Sequence, residues 1–173
     1  MSNLKDNVGQ QFGRLPATPA DREIKGRASR QEVVDFFAER FGIDPSVFEN
    51  FTFWEKGKGK IWIFADDAPS PIRIEGLGMT VLRTRQEHWK PTHSAVQRFG
   101  HHATKNVVDL SGEEAARFAA GEDQPVEWDG DWGYLIAAHK LAGKRVPVGV
   151  GLYLYDELRS TVPKGNQEEL AIL

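Results

Sequence analysis

Hydrophobic positions along the chain fall into short clusters, and a change in their period separates two kinds of element. Val33, Val34, Phe36, Phe37 and Phe41 recur at the spacing of one helix face. The preceding Ser29-Arg30-Gln31-Glu32 is a capping box, in which serine and glutamate satisfy free amides of the first turn, and Gly42 supplies a stop. This spacing predicts a helix from about Ser29 to Phe41. Residues 51–55 and 60–65 are rich instead in aromatic and β-branched side chains, and Lys56-Gly57-Lys58-Gly59 between them has hairpin chemistry. Residues 72–75 and 77–84 continue the strand pattern as a meander, with Gly76 and Gly78 allowing turns or a bulge.

The second half changes rhythm. Thr92 caps a short helix through Ala95, Val96 and Phe99 that Gly100 closes. Ser111-Gly112-Glu113-Glu114 is a second capping box, with Ala115, Ala116 and Phe118 as its apolar face and Gly121 as its stop. Residues 133–138 and 146–155 are extended segments joined by a hairpin loop over 141–145. Residues 1–27 carry Gly, Pro, Asn and Gln without apolar periodicity and are expected to be a flexible tail. The expected organisation is therefore α+β: a tail over 1–27, a helix-plus-meander domain over 28–90, a β-rich domain with two short helices over 91–165, and a C-terminal tail over 166–173.

Composition narrows the chemistry. With 173 residues the chain is long enough for one ordinary domain or two small ones, and 40% hydrophobic residues suffice for a folded core. No apolar run reaches the ~20 residues of a membrane helix, and the polar N-terminus lacks the apolar stretch of a signal peptide, so a cytoplasmic location is expected. The absence of cysteine excludes disulfides, thiolate metal sites and cysteine nucleophiles. His88, His93, His101, His102 and His139 show no HExxH or comparable ligand spacing. His101 and His102 are expected at the surface or facing RNA, His93 on a helix surface, and no metal is expected.

The overall charge of −3 hides segregation. Arg83, Arg85, Lys90, Arg98 and Lys105 face only Glu87, whereas over 109–131 eight carboxylates face only Arg117. Over 140–164 Lys140, Lys144, Arg145, Arg159 and Lys164 again outnumber Asp156 and Glu157. If folding brings the basic segments together, a local positive face can meet phosphates although the whole chain is anionic.

The ordered run Phe99-Gly100, Ala103 to Val108, the capped helix, Gly121, Gly133-Tyr134, Val148-Gly149-Val150-Gly151-Leu152 and Pro163-Lys164 resembles a PUA domain, a small RNA-binding β-barrel. The first half, with its capped helix, hairpin and Gly76-Leu77-Gly78, is similar to the pre-PUA domain of two-domain ribosome-biogenesis factors. The same pairing resembles the C-terminal RNA-binding part of archaeal Sun-family RNA cytosine methyltransferases. The resemblance implies an RNA surface combining Lys105 and Asn106, Lys144 and Arg145 at the hairpin tip, and Arg159 and Lys164, with Arg83, Arg85 and Lys90 extending it onto the first domain. Arg145 has the planar fork that grips phosphate or stacks on a base, whereas the lysines act as point charges. Asn106 can read a base edge or close a local turn. Trp132 and Tyr134 are candidates for stacking, Tyr134 being the more readily explained by core packing. Gly149 and Gly151 lie on one strand face, where barrel curvature explains them without RNA.

No catalytic constellation accompanies these features. Methylation of a cytosine ring carbon ordinarily uses a cysteine thiolate, which this chain lacks. Gly149 and Gly151 are followed by further β-formers rather than a helix, unlike a dinucleotide fingerprint; the lysines around Gly57 and Gly59 lack a GxxxxGK[ST] frame and are explained by hairpin exposure, with phosphate contact from Lys58 as the lesser alternative. The expectation is a noncatalytic RNA-binding protein without cofactor, contacting ribosomal or transfer RNA as a targeting module for RNA modification or ribosome assembly. The alternative is a protein-interaction adaptor docking on an RNA methyltransferase or a ribosomal protein. A histidine-centred enzyme is the third reading.

Overall fold

The computed structural model describes residues 11–165. Within them the chain divides into two compact units between Lys90 and Pro91. Each combines helices with one five-stranded sheet, so the class is α+β.

In the first unit, helix α1 (Arg30–Phe41) begins at the Ser29 capping box, where the serine side chain accepts from the Glu32 amide and the glutamate accepts from the Ser29 amide. It ends at Gly42, whose φ of 64° is a left-handed conformation that glycine adopts without strain. Strands β1 (Gly13–Arg14), β2 (Thr52–Glu55), β3 (Lys60–Phe64), β4 (Met79–Arg83) and β5 (Lys90–Pro91) lie side by side in sequence order. Alternation along β2 sends Phe53 and Trp54 to opposite faces, and both are buried. On one face Phe53 meets Phe48, and Phe48 meets Phe37 of α1, at ring-centroid distances of 5.8 and 5.3 Å. On the other, Trp54 shares a cluster with Phe12 and Leu77, rimmed by Trp62, Phe64 and Ile72.

Phe12 corrects the expected tail. It is fully buried, it exchanges two backbone hydrogen bonds with Ile72 (2.8 and 2.9 Å), and β1 beyond it pairs with β2. Arg14 then reaches Asp67 and the Ala68 carbonyl, and a 3-10 turn at Pro19–Asp21 leads towards α1. Isolated apolar residues in a polar stretch have no period to reveal them, yet one aromatic inserted beneath a sheet is enough to fix a segment. Residues 1–10 of the expected tail, and the expected C-terminal tail over 166–173, lie outside the described residues. The expected strand over 72–75 is likewise reduced to a single bridge at Ile72. The irregularity in the meander falls between Ile61 and Trp62.

In the second unit the order is β6 (Val107–Asp109), β8 (Gly133–Leu141), β9 (Lys144–Leu154), β10 (Glu157–Ser160), β7 (Gln124–Pro125), with β6 parallel to β8 and the other pairs antiparallel. Helix α2 (His93–Phe99) starts at Thr92, whose hydroxyl accepts from the Ala95 amide at 3.1 Å. Helix α3 (Gly112–Ala119) starts at the second capping box. Phe118 of α3 joins Val108, Leu135, Ala137, Tyr153, Leu158 and Val162 in the core. Gly149 and Gly151 make room for that core: a Cβ on Gly151 would stand 2.6 Å from Leu158 and 2.9 Å from Phe118, and one on Gly149 would stand 3.1 Å from Phe118. Their absent side chains thus serve packing. The β8–β9 and β9–β10 hairpins turn through Ala142-Gly143 and Tyr155-Asp156, all four with positive φ, as two-residue turns matched to strand twist require.

His93 differs from its expected place on a helix surface. The first residue of α2 is buried, with both ring nitrogens lacking a hydrogen-bond partner, and burial lowers its pKa from the ordinary 6.5. A Cβ on Gly149 would approach its ring to 3.3 Å, so the same glycine that admits Phe118 admits the imidazole.

Candidate nucleic-acid interface

Of the nine expected RNA contacts, Arg83, Arg85 and Lys90 lie in the first unit and the other six in the second, where strand register sets the hairpin tip apart from Arg159. In the second unit Lys144 and Arg145 sit at the β8–β9 hairpin tip, opposite Leu141 and Lys140. Asn106 precedes β6, in the left-handed region with a φ of 54°, and its carbonyl accepts from the Ile136 amide at 2.9 Å. The left-handed conformation lets the chain bend into β6, a backbone shape that asparagine tolerates better than most residues. Lys105 beside it is exposed. Arg159 pairs with Leu152, which lies about 25 Å along β9 from Lys144 at the usual rise of a strand. Lys164 is exposed beyond β10. The second-unit cations therefore do not converge on one spot.

Two of them are also occupied. The Arg145 guanidinium donates to both oxygens of Asp109, from Nε at 2.8 Å and from Nη2 at 2.6 Å. This bidentate pair holds the Asp109 carboxyl below its usual range and raises the Arg145 pKa further. It forms because the parallel β6–β8 pairing sets Asp109 beside Ala138, whose antiparallel partner Pro147 lies two residues from Arg145. Arg159 is paired more loosely with Glu157 at 3.4 Å. The fork expected to hold phosphate already holds a carboxylate.

The aromatic candidates divide as well. Tyr134 is half-buried, and burial raises its pKa. Trp132 is 51% exposed and packs against Tyr155, 72% exposed, with ring centroids 4.7 Å apart and the planes tilted by 58°. Four exposed carboxylates, Glu127, Asp129, Asp131 and Asp156, occupy this end of the unit. His101 and His102 are exposed, as expected of them, and their rings lie 3.9 Å apart.

The first unit presents a different picture. Lys60 and Arg83 are direct cross-strand partners in the β3–β4 pair, both exposed. Like charges placed opposite one another weaken a sheet rather than support it. Lys90, on β5 next to β4, has its pKa lowered by burial and by the charge of Arg83. Three cations thus form a row on three neighbouring strands, with Arg83 close enough to Lys90 to lower its pKa and opposite Lys60, whose ammonium stands over the Trp62 ring at 5.3 Å.

Beside the row, the β2–β3 hairpin borders a cleft of about 330 Å³ lined by Lys25, Arg27, Glu55, Lys58, Gly59 and Arg85 among others. Glu55 is its buried anchor. One carboxylate oxygen accepts from the Gly59 amide at 2.8 Å, and the other stands 2.9 Å from Arg27 Nε, an ion pair not aligned as a hydrogen bond. Gly59 has a φ of +79°, and a Cβ there would fall 2.1 Å from Arg85 Cγ, so the arginine stem crosses the hairpin where no side chain stands. The Gly59 carbonyl also accepts from the Thr84 amide at 2.8 Å, which fixes the chain just before Arg85. Lys56 points elsewhere, donating to the Ile74 and Glu75 carbonyls at 3.1 Å each.

Lys25, Arg27 and Lys60 are absent from the surface that sequence suggests, and Lys58 enters it only as a lesser candidate for phosphate contact. The alternation Lys56-Gly57-Lys58-Gly59-Lys60 is its visible signal, since a glycine-rich turn presents lysines with little to shield them. Lys25 and Arg27 are concealed by the assignment of residues 1–27 to a tail.

A family model described as a family of unknown function, DUF7122, matches residues 1–78, which include Lys25, Arg27, Glu55, Lys58 and Lys60. No curated protein matches the chain. Among the described residues no group of three or more His, Asp or Glu side chains is arranged to hold a metal ion, and no helix is long and apolar enough to cross a membrane.

Proposed function

We propose that the protein is a noncatalytic RNA-binding module whose principal phosphate-contacting surface lies on the first unit, along the Lys60–Arg83–Lys90 row. One observation carries this reading: Lys60 and Arg83 face each other in register, an arrangement that disfavours the free sheet and becomes favourable once a phosphate lies between them. The similarity of the second half to PUA domains supports the same function, with exposed Lys105, Lys144 and Lys164 as additional point charges. On this reading the module brings a ribosomal or transfer RNA to a modification or assembly machinery rather than reacting with it.

The test is a salt titration of binding to a single-stranded RNA, with the wild type and Lys60→Gln/Arg83→Gln compared. Loss of two phosphate contacts reduces the slope of log K against log salt by about 1.4 and weakens binding at every salt concentration. An unchanged slope removes the row from the interface.

The exposed Trp132–Tyr155 pair supports a second reading, an adaptor that docks on a methyltransferase or a ribosomal protein, because carboxylates around it oppose phosphate and suit a basic polypeptide. A partner that survives nuclease treatment in a pull-down, and is lost with Trp132→Ala, favours the adaptor.

A further inference from the structure

The cleft at the β2–β3 hairpin has a charge balance that a continuous phosphodiester track does not need. Arg27 and Glu55 offset one another at 2.9 Å, and Lys25, Lys58 and Arg85 remain as three positive groups around about 330 Å³. No ion pair engages those three among the described residues. An internal phosphodiester brings one negative charge and two chain directions, whereas a terminal phosphate brings about −1.5 to −2 and three acceptor oxygens on a single stem. A concave site with three cations fits the terminal group better. Its walls are also fixed before any ligand arrives, because Glu55 holds the Gly59 amide, and Gly59 leaves the space that the Arg85 stem crosses. Positive φ at Gly26, Gly57 and Gly59 gives the backbone around the cleft a shape that side-chain-bearing residues rarely take.

We propose that this cleft seats a phosphate monoester, such as the 5′ end of an RNA strand or a free mononucleotide, with Lys25, Lys58 and Arg85 as its ligands and Glu55 as the residue that positions the hairpin. The inference rests on the RNA-binding reading above and sharpens it, since it assigns the cleft to an end and the Lys60–Arg83 row to the body of the strand.

The experiment compares the full chain's affinity for one short RNA bearing either a 5′-phosphate or a 5′-hydroxyl, at one salt concentration. The wild type is expected to prefer the phosphorylated strand by about tenfold or more, as expected of one or two charge-assisted hydrogen bonds. Lys58→Gln/Arg85→Gln should abolish that preference while leaving affinity for the 5′-hydroxyl strand within about threefold, one internal contact being of that order. Lys25→Gln, remote from the hairpin in sequence, should reduce the preference in the same direction. Adenosine monophosphate that displaces the phosphorylated strand where adenosine does not identifies a free nucleotide as a sufficient ligand; its failure, with the strand preference intact, identifies the RNA end. Equal affinity of the wild type for both strands overturns the inference without touching the RNA-binding reading, which fails separately if neither strand binds.

Discussion

The two units carry similar numbers of basic residues at their surfaces but differ in what those residues face. In the second unit the Arg145 fork is closed on Asp109 and Arg159 leans on Glu157. In the first, Lys60 faces Arg83, Lys90 lies under the influence of the same arginine, and Lys25, Lys58 and Arg85 surround a cleft whose single buried carboxylate is already matched by Arg27. The difference shows that a count of charges does not say which of them meet, because the register of a sheet decides that. A guanidinium held bidentately must exchange one anion for another, whereas like charges in register gain from any anion that arrives.

The largest effect that sharpens this contrast is expected from Phe12→Ala. Removing a fully buried aromatic beneath the first sheet should destabilise that unit by about 3–5 kcal/mol. Hydrogen exchange resolved along the chain should report the loss in residues 11–90 and none in the second unit; no loss would return residues 11–27 to the status of a tail.

Next in size are paired glycine substitutions. Gly59→Ala and Gly151→Ala each place a Cβ closer than 3 Å to a neighbour, at 2.1 Å from Arg85 Cγ and 2.6 Å from Leu158. Each should lower stability by about 1–3 kcal/mol in a denaturant titration. They should part company in binding a 5′-phosphorylated strand, where Gly59→Ala weakens affinity by displacing Arg85 from the cleft and Gly151→Ala does not. Equal losses in both would break the assignment of the phosphorylated end to the first unit.

A smaller effect should come from opening the second unit's pair. Asp109→Asn releases the Arg145 guanidinium and is expected to raise RNA affinity by no more than about fivefold, with a stability loss under about 1 kcal/mol because both partners are about two-fifths exposed. Tighter binding would show that the pairing with Asp109 withholds Arg145 from phosphate, and unchanged affinity that the hairpin tip lies away from RNA.

The smallest effect concerns pH. Burial lowers the His93 pKa, so between 6.5 and its lower folded value the unfolded chain binds more protons and stability falls as the solution is acidified. His93→Leu should flatten that part of the pH dependence of the melting temperature, and a profile that is unaltered below pH 6.5 would mean that the imidazole charges freely in the folded protein.

Much of this fold is written in local signals. Both capping boxes, the Thr92 cap, the β2–β3 hairpin and the two long strands of the second unit follow from side-chain period and turn chemistry, which act over a few residues. What escaped local reading depends on partners distant in sequence. Phe12 is recognisable as core only once Trp54 and Ile72 are beside it, His93 as buried only once β9 passes over it at Gly149, and Arg145 as occupied only once a parallel pairing delivers Asp109. The cleft illustrates the same limit, since Lys25, Lys58 and Arg85 come from three separate stretches of chain. The hairpin lysines are legible in the sequence as exposed, but not that Lys58 lines a cleft with Lys25 and Arg85 while Lys56 turns to the Ile74 and Glu75 carbonyls.

The most direct test of the central claim is ultraviolet crosslinking of the full chain to bound RNA, with the attached peptides identified by mass spectrometry. Crosslinks concentrated in residues 56–60 and 83–90, with fewer in 140–164, are the predicted result. Crosslinks confined to 140–164, with none on the hairpin or β4, would contradict it.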